Sequence, residues 1–292
     1  MSAPAMSRIP VTKTPKVYIA GAFVRSESAR TFKVSDASGA FFANMPQCTR
    51  KDLRNAVEAA AKAGPGWARR TPYNRAQILY RLAEMLEARS GELVESLVRF
   101  GARRADAEKG MTVGVDRLIH YAGWSDKYAQ LLGSVNPVAS PHFNFTVPEP
   151  MGVVGVIAPD SPPLLGLLSM IAPVIASGNT VVALASEKVP YPAILLGEML
   201  ATSDLPGGVV NLLTGFRKEM VPTFATHAHI RAIFAAADAD ERKALRLGAA
   251  ASVKRVRFAE PVGKAWFSDS AQGLDLIRDF VELKTTWHPI GS

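Results

Sequence analysis

The sequence predicts an α/β fold, a parallel sheet with helices on both faces, and three observations carry that reading. From Met151 onward short apolar runs alternate with helical stretches. The runs GVVGVIAP, NTVVALA, GVVNLLTG, IRAIFAA and VKRVRFA are mostly Val, Ile, Leu and Ala, the pattern of strands buried on both sides. The stretches between them, Leu164–Ala176, Tyr191–Thr202, Lys218–His227 and Asp240–Ala251, are long enough to be crossover helices.

The segments before Met151 take their places in order. MSAPAMSRIPVTKTPK is basic with no apolar core behind it, so residues 1–16 read as a flexible arm and not as a secretory leader. Val17–Asp36 alternates apolar and polar residues about Gly21, which predicts an early hairpin. Thr49 can cap the helix that follows, and Asp52 answers it three residues on. Leu53, Val57, Ala60 and Ala61 then share one face, and Gly64–Pro65–Gly66 is expected to end the helix. Two more helices follow from TPYNRAQILYRLAEMLEARSGELVESLVRFG, with Ile78, Leu79, Leu82, Met85 and Leu86 at helical spacing. Another is expected over about Gly114–Leu132. VNPVASPHFNFTVPEP gives two extended runs parted by Ser140–Pro141, and its prolines suit an exposed edge hairpin. The chain thus divides into the arm (1–16), a helical part (17–134), a hairpin (135–150), a Rossmann-like nucleotide-binding-type domain (151–265) and a C-terminal tail (266–292).

Composition removes several function classes. The net charge is +8, but the basic residues are scattered among acids over the 292 residues. The densest spots, Arg69–Arg70, Arg103–Arg104 and Lys254–Arg255–Arg257, are short and separate, with no zinc spacing or aromatic motif beside them. No nucleic-acid partner is expected. No apolar run approaches the roughly 18–20 residues that a membrane span needs. The single cysteine, Cys48, rules out an internal disulfide and suits a reducing cytoplasm. His227 and His229 lack a third ligand and read as a polar loop, so no metal is expected. Trp67 and Trp124 read as core, whereas Trp287 is a candidate anchor for a subunit contact.

In a parallel sheet, ligands gather outside the carboxyl ends of the strands. The residues to inspect are therefore Ala158–Pro163, Ala185–Glu187, Thr214–Phe216 and Ala235–Asp240. The first of these turns has no glycine to cradle a phosphate. Asp160 could be a catalytic acid, but nothing in the sequence pairs with it, so turn chemistry is the better reading.

EPMGVVGVIAP, IAPVIASGNTVV and LPGGVVNLLTG resemble the nucleotide-binding region of the aldehyde dehydrogenase superfamily, and AAKAGPGWARRTPYNRAQILYRLAEMLEAR resembles the helices before it. The resemblance runs from about Val17 to Glu260. The tail VELKTTWHPIG resembles family 16, whose members carry a degenerate second module of this type. The departures from the family pattern are informative. The family turn Pro-Trp-Asn-Phe-Pro holds an oxyanion through its asparagine; here it is Pro159-Asp160-Ser161-Pro162-Pro163, with Ser161 in that place. Leu184 replaces a lysine that hydrogen-bonds the cofactor ribose, while Glu187 remains at the neighbouring ribose position, as a retained partner or a plain loop acid. The Gly-Ser pair at the phosphate-binding helix start becomes Ala237-Asp238, and Ala259-Glu260-Pro261-Val262 aligns with the Glu-Leu-Gly-Gly of the general base. The domain that supplies the nucleophilic cysteine is expected to be absent.

Vestigial cofactor contacts are expected at Pro159, Ser161, Glu187 and Gly215, with no catalytic residue. Free N–H groups at a helix start favour an anion, but Asp238 and Asp240 bring their own carboxylates there. NAD or NADP is thus expected to bind weakly or not at all. Cys48 reads as a packing cysteine. The expected function is a non-catalytic subunit or scaffold for a full-length aldehyde dehydrogenase, or a homo-oligomer. The alternative is an NAD(P)-binding component acting with a catalytic domain on another chain. Assembly is expected through the Val135–Val147 hairpin, where Phe143 and Phe145 alternate with polar residues and neither Lys nor Glu interrupts pairing.

Overall fold

Two short hairpins begin the computed structural model, which describes residues 13–291. The first twelve residues of the expected arm lie outside that range. β1 (Val17–Ile19) and β2 (Ala22–Val24) meet at Ala20–Gly21, both with positive φ, and a Cβ at Gly21 would come within 2.9 Å of Gly207 Cα. β3 (Thr31–Ser35) pairs not with them but with β4 (Phe41–Pro46), so the single hairpin expected over Val17–Asp36 becomes two. Buried Ser26 holds the chain between β2 and β3, its hydroxyl lying 2.9 Å from an Asp52 carboxylate oxygen and 3.0 Å from the Gln47 carbonyl, either of which can accept its proton.

α1 (Arg50–Ala68) carries the expected capping box of Thr49 and Asp52. It does not stop at Gly64–Pro65–Gly66. The helix continues because Trp67 is buried and its indole N–H donates to the Ile175 carbonyl at 3.0 Å, which offsets the bond lost at Pro65. α2 (Pro72–Ala88), α3 (Ser90–Arg99), α4 (Arg104–Trp124) and α5 (Tyr128–Leu132) follow. α4 begins well before the expected Gly114 and breaks at Ser125. Its glycines weaken the helical pattern but permit close packing: a Cβ at Gly114 would lie 3.2 Å from the Leu168 side chain.

β5 (Ser134–Asn136) and β6 (His142–Pro150) lead into the alternating half: β7 (Val153–Ile157), α6 (Pro163–Ala176), β8 (Thr180–Leu184), α7 (Tyr191–Ala201), β9 (Val210–Leu213), α8 (Arg217–Thr226), β10 (Ile230–Ala235), α9 (Ala239–Ala250) and β11 (Arg255–Phe258). The four crossover helices begin and end within a residue of their expected bounds. Two 3-10 turns, α10 (Asp275–Arg278) and β12 (Val281–Pro289) complete the order.

The large sheet has the order β11-β10-β7-β8-β9-β1-β2. Its first five strands are parallel, and β1 joins antiparallel at β9 through Tyr18 and Leu212. Strand alternation divides the core in two. Val154, Val156, Val181 and Ala183 face α2, α4, α6 and α7, whereas Val153, Ile157, Val182 and Leu184 face α1 and α8. α6 is buried all round, and each of its Leu and Ile side chains contributes ~1.5–3 kcal/mol by leaving water.

The second sheet corrects an expectation. β6 is not an edge strand, because β12 pairs with it over its whole length while β5 covers part of its other side. Pro148 and Pro150 are tolerated because they lie beyond the reach of β5, where β6 has one neighbour only. Residues 266–292 are therefore more than a tail: they supply a strand of this sheet.

Candidate functional site

The chain leaves β7 for β8 on one side and returns to β10 on the other, so the crevice at their carboxyl ends is the topological switch point where such sheets bind ligands. Arg217, the first residue of α8, reaches into it. Its Nη1 donates to the Ala158 carbonyl at 2.9 Å and its Nη2 to that of Ala236, the residues that follow β7 and β10. Nε and Nη2 also donate to the two Glu241 carboxylate oxygens, each at 2.7 Å. The two side chains are only 14% and 20% exposed, so the pair is a mostly buried, bidentate clamp. Burial works against the guanidinium charge, but the Glu241 bonds and the fields of Asp160 and Asp238 outweigh it and raise the Arg217 pKa.

The turns around this clamp are tied to one another. Asp160 accepts from the Ser186 hydroxyl at 2.7 Å and from the Glu187 and Lys188 amides at 3.0 and 3.3 Å, the turn chemistry its sequence suggests. Glu187 accepts from the Arg217 amide at 2.7 Å and so caps α8. Asp238 and Glu241 form a reciprocal capping box at the start of α9, with Glu241 N 2.9 Å from the Asp238 carboxylate. Arg242 donates to the Ala237 carbonyl at 2.9 Å and lies over the Phe258 ring.

Of the residues expected at a cofactor site, Pro159 and Ser161 line the crevice, a cavity of about 270 Å³. Pro159 is buried against α6, where a Cβ on Gly166 would clash with its ring at 2.2 Å, and Ser161 is exposed. Glu187 reaches the crevice through its bond to Arg217. Gly215 stands elsewhere: a Cβ there would sit 3.2 Å from the Cys48 backbone, whose N–H donates to Thr214 O at 2.9 Å. Leu184 ends β8, its carbonyl accepting from the Ala158 amide at 3.0 Å, and its side chain is wholly buried in the core under α1 and α8. Glu260 is exposed and lies 3.6 Å from Arg257. Cys48 is fully buried, and burial, with the Asp52 charge adding to it, pushes its thiol up to about 12. Among the described residues no group of three His, Cys, Asp or Glu could hold a metal.

A dinucleotide would bring its pyrophosphate to this crevice. The residues present do not fit it. The starts of α8 and α9 already hold carboxylates, and the two arginines nearby are committed to Glu241 and to main-chain carbonyls. The sequence reading missed Arg217. The signal was available: a cation in the first turn of a helix opposes the helix dipole and needs an acid elsewhere to hold it.

A doubly wound sheet with an open-ended switch point, preceded by helices and flanked by a three-stranded sheet, is the architecture of a nucleotide-binding-type α/β domain. The Aldehyde dehydrogenase family profile matches residues 23–265, and the chain belongs to that family. It is 34% identical over 258 residues to 2-hydroxymuconic semialdehyde dehydrogenase of Pseudomonas sp. (strain CF600), covering 84% of this chain and 52% of that one. With retinal dehydrogenase 2 of Gallus gallus it shares 35% identity over 225 residues, 75% of this chain and 43% of that one. The NAD+ complex of an aldehyde dehydrogenase from Bacillus cereus superposes with a TM-score of 0.81 at 26% identity, covering 85% and 51% of the two chains. The chain spans about half the length of the curated relatives it matches. No helix among the described residues is long and apolar enough to cross a membrane.

Proposed function

We propose that this chain is a non-catalytic aldehyde-dehydrogenase-like subunit that assembles with itself or with a full-length aldehyde dehydrogenase in the cytoplasm. One observation carries the reading: the Arg217–Glu241 clamp spans the crevice that a dinucleotide would need, between helix starts already capped by acids. Aldehyde oxidation by this family needs a thiolate, an oxyanion hole and a hydride acceptor together. Here the one thiol is buried and held protonated, and Ser161 stands where the family asparagine would donate. The assembly part of the proposal rests on the exposed Val135, Phe143 and Val147 of the second sheet.

A second reading, an NAD(P)-binding component that serves a catalytic domain on another chain, is favoured by Glu187, which keeps a carboxylate beside the switch point. Calorimetric titration with NAD and with NADP separates the two. The first reading expects affinities in the high micromolar range or weaker; tight binding by either dinucleotide puts the second ahead. NADH formation from a panel of aldehydes is expected to be nil, and a rate abolished by Cys48→Ala would defeat the non-catalytic reading.

A further inference from the structure

β12 is nine residues long and bonded along one side to β6; on the other side Arg255 Nη1 donates to the Val281 carbonyl at 3.0 Å, and beyond Val281 no strand pairs with that edge among the described residues. The charges of the strand are already engaged, Lys284 with Glu149 of β6 at 3.1 Å and Glu282 with Arg255 of β11 at 3.3 Å. Leu283 and Trp287 project from the strand 60% and 57% exposed. A long unguarded edge with large apolar side chains calls for a partner strand.

We propose that this partner is the β12 of a second copy, paired antiparallel about a two-fold axis through Thr285, so that two three-stranded sheets become one of six strands. The inference rests on the assembly proposed above and names its partner and strand.

The register follows from strand geometry. Alternate residues of an edge strand turn their donors and acceptors outward, so in a symmetric antiparallel pair the axis must pass through a residue that faces itself. An axis through Lys284 would set two lysines opposite each other, which is unfavourable. One through Leu283 would pair only Val281–Thr285, and one through Thr286 would set Lys284 against His288. The axis through Thr285 pairs Glu282–His288, the stretch clear of the Arg255 contact at Val281. It places Leu283 opposite Trp287 and Glu282 opposite His288, so apolar meets apolar and acceptor meets donor at both ends. Pro289, with no N–H to offer, falls opposite Val281, whose carbonyl Arg255 already holds, so the ladder ends there on both sides.

Sedimentation and light scattering of the full chain over a range of concentrations test this. A mass near twice 31.3 kDa is expected. Leu283→Asp together with Trp287→Asp sets acids against each other and should raise the midpoint of dissociation ~10-fold or more. Leu283→Asp together with Trp287→Lys sets opposite charges across the same pair and should restore most of the association. Independently, Thr285→Cys should cross-link to itself under mild oxidation while Lys284→Cys does not, with buried Cys48 remaining inert. A monomer at every concentration, a lysine variant no better than the double acid, or equal cross-linking at both positions would overturn the pairing. Dissociation by Phe143→Asp and Phe145→Asp but not by the β12 variants would move assembly to the hairpin face and leave the subunit reading standing. A complex formed only with a full-length dehydrogenase would also overturn self-pairing.

Discussion

Four helices aim their N-termini at the carboxyl rim of the parallel sheet, and three of them, α6, α8 and α9, are finished in two different ways. α6 begins at Pro162–Pro163 with no side-chain cap, beside an apolar cavity of about 350 Å³ that includes Met111, Leu164, Leu165 and Phe267. α8 and α9 begin with carboxylates already in place, Glu187 on the Arg217 amide and Asp238 on that of Glu241. Free N–H groups and the helix dipole would attract an incoming anion at any of the three starts. At two of them the protein supplies the anion itself. On the proposed reading, the switch point is bonded across by its own side chains rather than left to recruit a ligand, on an otherwise regular frame of strands and helices.

The clamp is the sharpest place to break that contrast. Arg217→Met would leave Glu241 mostly buried without its partner and free the Ala158 and Ala236 carbonyls, so a loss of about 3 kcal/mol in urea unfolding is expected. A double-mutant cycle with Glu241→Gln should show coupling of at least ~1 kcal/mol. Loss and coupling both near zero would mean that the crevice is open and the pair merely decorates it.

Cys48 tests the other half of the non-catalytic reading. Its folded pKa is raised from the ordinary 9.0 to about 12, chiefly by burial. Below 9.0 both folded and unfolded chains hold the proton, so its contribution to stability is complete there. As pH rises from 9.0 toward 12 the unfolded chain releases the proton and the folded chain does not, and stability falls by ~1.4 kcal/mol per pH unit from this group. Unfolding measured from about pH 8 to about pH 11 should show that slope in the wild type and a shallower one in Cys48→Ala. Equal slopes would mean that the thiol is already ionised or exposed in the folded protein.

Much of this was legible in the sequence, and what was not shares a cause. The strands beside the switch point were visible because burial on both faces leaves an unbroken apolar run, as in Val153–Ile157 and Thr180–Leu184. Asp238 and Leu184 stood out as chemically wrong for a phosphate and a ribose. The Arg217 clamp was hidden because it joins residues from three separate turns, and no local pattern says that Ala158, Ala236 and Glu241 will converge. β12 was hidden in the same way: VELKTTWHP has little apolar alternation, and its partner lies more than a hundred residues earlier, as the bond between Thr146 and Thr285 shows. Pro65 erred in the opposite direction. The local rule for ending a helix was sound, and the burial of Trp67 overrode it.

The smallest expected effect separates the two ways in which the rim excludes an anion. Asp238→Ser keeps an oxygen to accept from the Glu241 amide, so the cap of α9 survives while its charge is lost. If the capping carboxylate repels a pyrophosphate, the removal of one charge at a helix start is worth ~0.3–1 kcal/mol, or roughly a two- to five-fold gain in NAD or NADP affinity. That gain should shrink as salt is raised, because the repulsion acts near solvent. Combined with Arg217→Met, the serine variant should bind better still if the clamp is a separate barrier. A serine variant that binds no better than wild type, with the gain appearing only when Arg217 is replaced, would show that steric closure by the clamp, and not the charge of the cap, keeps the dinucleotide out.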